Sequence, residues 1–139
     1  MSSVWEKVNL NIAEVLRKYK TVAVVGLSPK VQRASHGVAF YLQQVGYTII
    51  PVNPNYKEIL GQKCYPSLKD VPVPVEIVDI FRRAEDVPPI VDEAIAIGAK
   101  VVWLQSGIIN EPAAQKALHA GLAVMMDVCM KVEHMTRAF

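Results

Sequence analysis

A chain of 139 residues, 52% apolar and 20% charged, is long enough to bury roughly two thirds of its unfolded surface, so no disulfide staple is required. Its net charge of +2 is too small for a general nucleic-acid binder, and any basic function has to be local. The first residues lack the apolar core of a signal peptide and no apolar run approaches the ~18 residues of a membrane span, which predicts a cytoplasmic protein without a membrane partner.

Ser3-x-x-Glu6 has the form of a capping box, opening a helix whose apolar stripe is Val4, Val8, Ile12, Val15, Leu16 and Tyr19. Val22 to Val25 is a continuous apolar run with little alternation, the pattern of a strand buried on both faces. Ser35 is placed to cap a helix carrying Val38, Tyr41, Leu42 and Val45 on one face, and Gly46 stands where a residue of positive φ ends it. A second strand, Tyr47 to Val52, begins at once. From Asn53 to Pro74 the chain is proline-rich and reads as a long ordered loop with one helical turn over Ser67 to Asp70. Loops of that length commonly carry function.

Val75 to Phe81 is the third strand. In the helix after it, Pro88 and Pro89 fit the first turn, where their missing N–H groups cost little, and Gly98 closes it. Lys100 to Leu104 is a fourth strand, Asn110 caps a helix over Glu111 to Ala120, and Leu122 to Met126 is a fifth strand followed by a short helix in the tail. This alternation predicts an α/β fold: a Rossmann-like, doubly wound parallel sheet of five strands in the order 3-2-1-4-5, with helices on both faces, forming one domain over residues 1–139.

Three turns follow three predicted strands at one edge of such a sheet, because βαβ crossovers put every strand's carboxyl end on the same side. The first, Gly26 to Gly37, offers a glycine for a tight exit, the hydroxyls of Ser28 and Ser35, Lys30 or Arg33 as a counter-charge, and a helix N-terminus. The second ends at Asn53, where a dinucleotide fold would carry Asp or Glu for the ribose diol. The third carries Arg82 and Arg83. Without a G-x-G-x-x-G fingerprint or the ribose acid, NAD fits poorly; extra arginines suit a ligand with a further phosphate near its ribose, which describes both NADP and coenzyme A. Cys64 and Cys129 lack CxxC spacing and nearby histidines, which argues against a zinc site and predicts reduced thiols.

Across Thr21 to Glu133 the chain resembles the small coenzyme A-binding proteins, a family related to the nucleotide-binding domain of succinyl-CoA synthetase. The resemblance is carried by Val24-Val-Gly-Leu-Ser-Pro, Arg33-x-Ser35-x-Gly37-Val, Pro51-Val-Asn-Pro54 and Gly61-x-x-Cys-Tyr-Pro66-Ser-Leu. It continues through Asp79-Ile-Phe-Arg-Arg83, Ala99-Lys-Val-Val-Trp-Leu-Gln-Ser-Gly107 and Met126-Asp-Val-Cys129. The resemblance implies that Gly26, Ser28, Arg33 and Ser35 surround a pyrophosphate while Asn53 and Pro54 lie beside the adenosine. It further implies that Phe81, Arg82 and Arg83 serve the adenine and ribose-phosphate side, with Gln105, Ser106 and Gly107 near the pantetheine path. One departure stands near the end, where the family often shows Asp-Arg-Cys-Pro and this chain has Asp127-Val-Cys-Met130.

No nucleophile-base-acid constellation and no metal-ligand cluster is visible in the sequence. The expected function is therefore a non-catalytic module that binds coenzyme A or a short acyl-CoA, as carrier, sensor or accessory to an enzyme. Two alternatives are an NADP-binding oxidoreductase or redox sensor, and the coenzyme A-binding subunit of a multi-chain acyl-CoA enzyme.

Overall fold

The computed structural model describes residues 3–137. In chain order its regular elements are α1 (Ile12–Lys18), β1 (Thr21–Val25), α2 (Ala34–Gln44), β2 (Thr48–Val52), a small hairpin of β3 (Glu58–Ile59) and β4 (Gln62–Lys63), and β5 (Ile77–Ile80). There follow α3 (Val87–Ala96), β6 (Val101–Leu104), α4 (Glu111–His119), β7 (Ala123–Met126) and α5 (Met130–Met135). Five of the strands form one parallel sheet. It is buried on both faces, as the unbroken apolar run of β1 requires: Val22 and Val24 pack toward α1, α2 and α5, while Ala23 and Val25 pack toward α3 and α4.

The parallel five-stranded sheet is as predicted, but its strand order is not. The order is β2-β1-β5-β6-β7, so the third main strand lies beside the first and the second lies at an edge; in the count used above this is 2-1-3-4-5, not 3-2-1-4-5. Pro51 supplies the physical reason. Lying within β2, it has no N–H to give a further strand, and prolines in sheets belong at edges. The outer side of β2 is taken instead by Tyr65, whose N–H donates to Pro51 O (3.0 Å) and whose carbonyl accepts from Asn53 N (2.9 Å). The chain then crosses β1 on the face opposite α2, burying Leu68 there, as two crossovers of one hand running in opposite directions from β1 require.

Three local features also differ from expectation. The amino-terminal helix is broken: Ser3 caps a single 3-10 turn over Val4–Glu6, Asn9 (φ 60) and Asn11 (φ 56) turn the chain, and α1 starts afterwards. The apolar stripe consequently divides between the two faces, with Val4 and Val8 on one and Ile12, Val15 and Leu16 on the other. At the turn, Asn9 covers the edge of β7 by accepting from Met126 N (2.8 Å) and donating to Met126 O (3.1 Å). In the proline-rich segment the helical turn is present at Leu68–Asp70, and the unexpected hairpin before it turns through Leu60 (φ 54) and Gly61 (φ 72), the positive pair of a type I′ turn. Ser35 is not the cap of α2; Arg33 holds that position without a capping bond, and Ser35 lies inside the first turn.

Candidate functional site: a basic crevice at the carboxyl ends of β1 and β5

The connection from β1 leaves toward β2 on one side, while β5 leads away on the other, so the carboxyl ends of β1 and β5 border the switch point where open α/β sheets bind ligands. Two backbone bonds tie this point together: Gly26 N to Val52 O and Phe81 N to Val25 O, both 2.9 Å. Gly26 has φ 89, and a Cβ there would meet Phe81 O at 2.3 Å and Arg82 Nε at 3.2 Å. No other residue type fits this contact, and the absent side chain leaves the floor of the crevice open.

A cleft of about 340 Å³ opens here, lined by Gly26, Ser28, Lys30, Arg33, Ala34, Ser35, Asn53, Asn55, Tyr56, Phe81 and Arg82. Seven of the twelve predicted site residues are among them: Gly26, Ser28, Arg33, Ser35, Asn53, Phe81 and Arg82. The loop is braced from within. Ser28 N donates to Ser35 Oγ (3.0 Å) and Lys30 N to Ser28 Oγ (3.1 Å), so each hydroxyl accepts one bond and keeps its own O–H to give. Asn53 is buried; its Nδ2 donates to Leu27 O (3.1 Å) and its Oδ1 accepts from Asn55 N (3.0 Å). Its amide thus braces its own loop at Asn55 and ties it to the first loop at Leu27.

The electrostatics favour an anion. No acidic residue lines the cleft, and among the described residues none of the ion pairs uses Lys30, Arg33 or Arg82. The amino end of α2 borders the cleft through Ala34 and Ser35, and its first turn carries no acid to neutralise the partial charge of the N–H groups exposed there.

The other five predicted residues lie elsewhere. Pro54 lines an adjoining cleft of about 150 Å³ with Pro66, Ser67, Ile90 and Glu93, and Arg82 borders both clefts. Arg83 turns away: its side chain is 77% exposed and pairs with Asp86 (3.2 Å) and Glu85 (3.5 Å). Gln105, Ser106 and Gly107 sit past β6, one strand further along the same sheet edge. There Gly107 N donates to Asp127 Oδ1 (2.7 Å), and buried Gln105 donates through Nε2 to Asp79 Oδ1.

Three lining residues carried no sequence-based role: Ala34, Asn55 and Tyr56. The signal for the latter pair was the length of the proline-rich loop. Asp79 stands in one of the family-like motifs with no role of its own, although an acid inside an otherwise apolar strand is itself a signal. It is fully buried, and burial pushes its carboxyl up to about 7 against the lowering effect of the Gln105 bond.

Known proteins resemble this chain in sequence and in fold. The YneT protein of Bacillus subtilis is 46% identical over 123 residues, covering 88% of this chain and 91% of its own. A hypothetical protein of Pyrococcus horikoshii of known structure superposes with a TM-score of 0.91 at 42% identity, covering 98% of this chain and 96% of that one. Acetate–CoA ligase [ADP-forming] II of Archaeoglobus fulgidus is 39% identical over 95 residues, which are 66% of this chain and 14% of the ligase. The family described as the CoA binding domain matches residues 20–135, from the residue before β1 to the last of α5. Strands, loops and crevice all fall within that span, and the chain belongs to the CoA binding domain family.

Proposed function

We propose that this chain is a single cytoplasmic domain that binds coenzyme A or a short acyl-CoA without catalysing a reaction on it, as carrier, sensor or accessory module. The observation that carries this reading is a cleft with three cations and no acid at the switch point, floored by a glycine that no side chain could replace. The donors suit the ligand: the loop from Gly26 to Ser35 and the start of α2 would hold the pyrophosphate, and Arg82 a ribose phosphate. Asn53 braces the loops beside the adenosine, and Gln105, Ser106 and Gly107 would border the pantetheine. The match to a short part of a ligase favours a second reading, in which the module serves a separate catalytic subunit.

Arg82 and Arg83 test the phosphate assignment. Arg82→Ala is expected to weaken coenzyme A about ten- to a hundredfold and 3′-dephospho-coenzyme A about twofold at most, because a charge-assisted bond to one phosphate is worth ~1.5–3 kcal/mol. Arg83→Ala, whose guanidinium is held by Glu85 and Asp86, should leave both affinities within about twofold. Calorimetric titration measures all four; equal weakening of the two ligands by Arg82→Ala would contradict the assignment.

A further inference from the structure

Asp79 is the one acidic or basic side chain buried among the described residues. It lies in β5 between Val24 of β1 and Trp103 of β6, on the face covered by α1, α2 and α5. Residues two apart on a strand share a face, so Asp79 occupies the layer beneath Gly26 and Phe81 of the crevice and beneath Gln105, one strand further along the sheet edge. Its Oδ1 accepts from Gln105 Nε2, and its Oδ2 has no partner. Gln105 is therefore polarised. Its Nε2 faces inward to Asp79, and its Oε1, which takes no hydrogen bond, is the end directed away from the carboxylate.

The two ends of a carboxamide are opposite in character, one donor and one acceptor. A carboxylate only accepts, and so holds Nε2 inward and Oε1 outward. A carboxylic acid also donates; it can bond Oε1 and release Nε2 to face out. We propose that Asp79 is a positioning residue whose protonation state sets which end of the Gln105 carboxamide faces the sheet edge beyond β6, and hence whether that edge, beside the crevice, offers a ligand's amide arm an acceptor or a donor. That the arm is the pantetheine of coenzyme A rests on the function proposed above. The elements packed on this face carry Glu14, Arg17 and Lys18 in α1, His36 and Tyr41 in α2, Tyr47, Cys64, Asp127 and Cys129 in the connections, and Lys131, Glu133 and His134 in α5; none of them is what moves the Asp79 carboxyl, which burial raises and the Gln105 bond lowers. With its midpoint at about 7, both forms are present at neutral pH.

Two readouts test this, one of them free of ligand. In ¹⁵N-labelled protein taken from about pH 5.5 to about 8.5, the Gln105 side-chain NH₂ signals should titrate in the wild type and stay flat in Asp79→Asn. The ratio of wild-type to Asp79→Asn affinity for coenzyme A, in which the ligand's own titration cancels, should change severalfold over the same range. For adenosine 3′,5′-bisphosphate, which lacks the amide arm, the ratio should stay constant. Should Asp79→Asn not fold, Gln105→Leu leaves the carboxyl in place and should flatten the coenzyme A profile in the same way. A Gln105 signal that does not titrate, or an affinity ratio equally flat for both ligands, overturns the proposal. A titration abolished by Asp79→Asn together with no coenzyme A binding at any pH supports the switch and overturns the ligand reading instead.

Discussion

Gly26→Ala is expected to cost on the order of 2–5 kcal/mol of stability, the sum of a left-handed backbone forced on an L residue and of overpacking. The new methyl would lie 2.3 Å from Phe81 O, a backbone atom that cannot swing aside as a side-chain end would. Relief requires β1 and β5 to part where Phe81 N bonds Val25 O, at the floor of the cleft. Gly98→Ala is the control. Gly98 has φ 76 but nothing within 4 Å of an added Cβ, so it should cost about 1–2 kcal/mol from backbone strain alone. Urea unfolding of the two variants measures the difference; equal losses would show that the close approach at Gly26 contributes nothing. At a temperature where Gly26→Ala remains folded, its affinity for coenzyme A should fall by more than about tenfold, since a 1.4 kcal/mol distortion of the site suffices.

The second large effect is the pH dependence of stability, and it comes from Asp79. Its carboxyl is raised from 3.8 to about 7 by burial. Below 3.8 it is protonated in both folded and unfolded chains, and its contribution to stability is fully present. As pH rises from there toward 7 the unfolded chain releases the proton and the folded one retains it, so stability is lost across that window and levels off above it. At 1.36 kcal/mol per pH unit the loss is on the order of 4 kcal/mol. Asp79→Asn keeps an acceptor for Gln105 and has no proton to release, although its amide leaves a buried donor unpaired at a cost of about 1–3 kcal/mol. The stability of Asp79→Asn minus that of the wild type should therefore climb by several kcal/mol between about pH 4 and pH 8, with most of the rise complete at 7. Thermal or urea unfolding at fixed ionic strength reads this difference, and a constant offset across the range would mean that the carboxyl titrates normally.

The sheet was legible because each main strand is a short apolar run bounded by glycine or proline, and the alternation with helices leaves few folds open. The strand order was missed for a reason present in the chain. Pro51 marks β2 as an edge, yet the common dinucleotide-fold order was expected and places that strand inside. The amino-terminal stripe looked like one helix because its spacing is helical; two asparagines at positive φ divide it, and their effect depends on the β7 edge that Asn9 pairs with. In the crevice, the loops that meet could be read from the topology. Which neighbour of Arg82 and Arg83 turns inward could not be read from the arginines themselves; Glu85 and Asp86, two and three residues on, decide it by capturing Arg83. Asp79 and Gln105 are far apart in sequence, and only the register of β5 with β6 brings them together.

Calorimetric titration of the protein with coenzyme A, acetyl-CoA, NADP and NAD under one set of conditions tests the central claim most directly. Tight, stoichiometric binding of coenzyme A and acetyl-CoA, with NADP and NAD at least about a hundredfold (about 2.7 kcal/mol) weaker, is the predicted result: the crevice's cations without a ribose acid count against NAD, and membership of the CoA binding domain family counts against NADP, whose ribose phosphate the cations alone would also suit. Preferential binding of NADP, or no heat with any of the four, would contradict it.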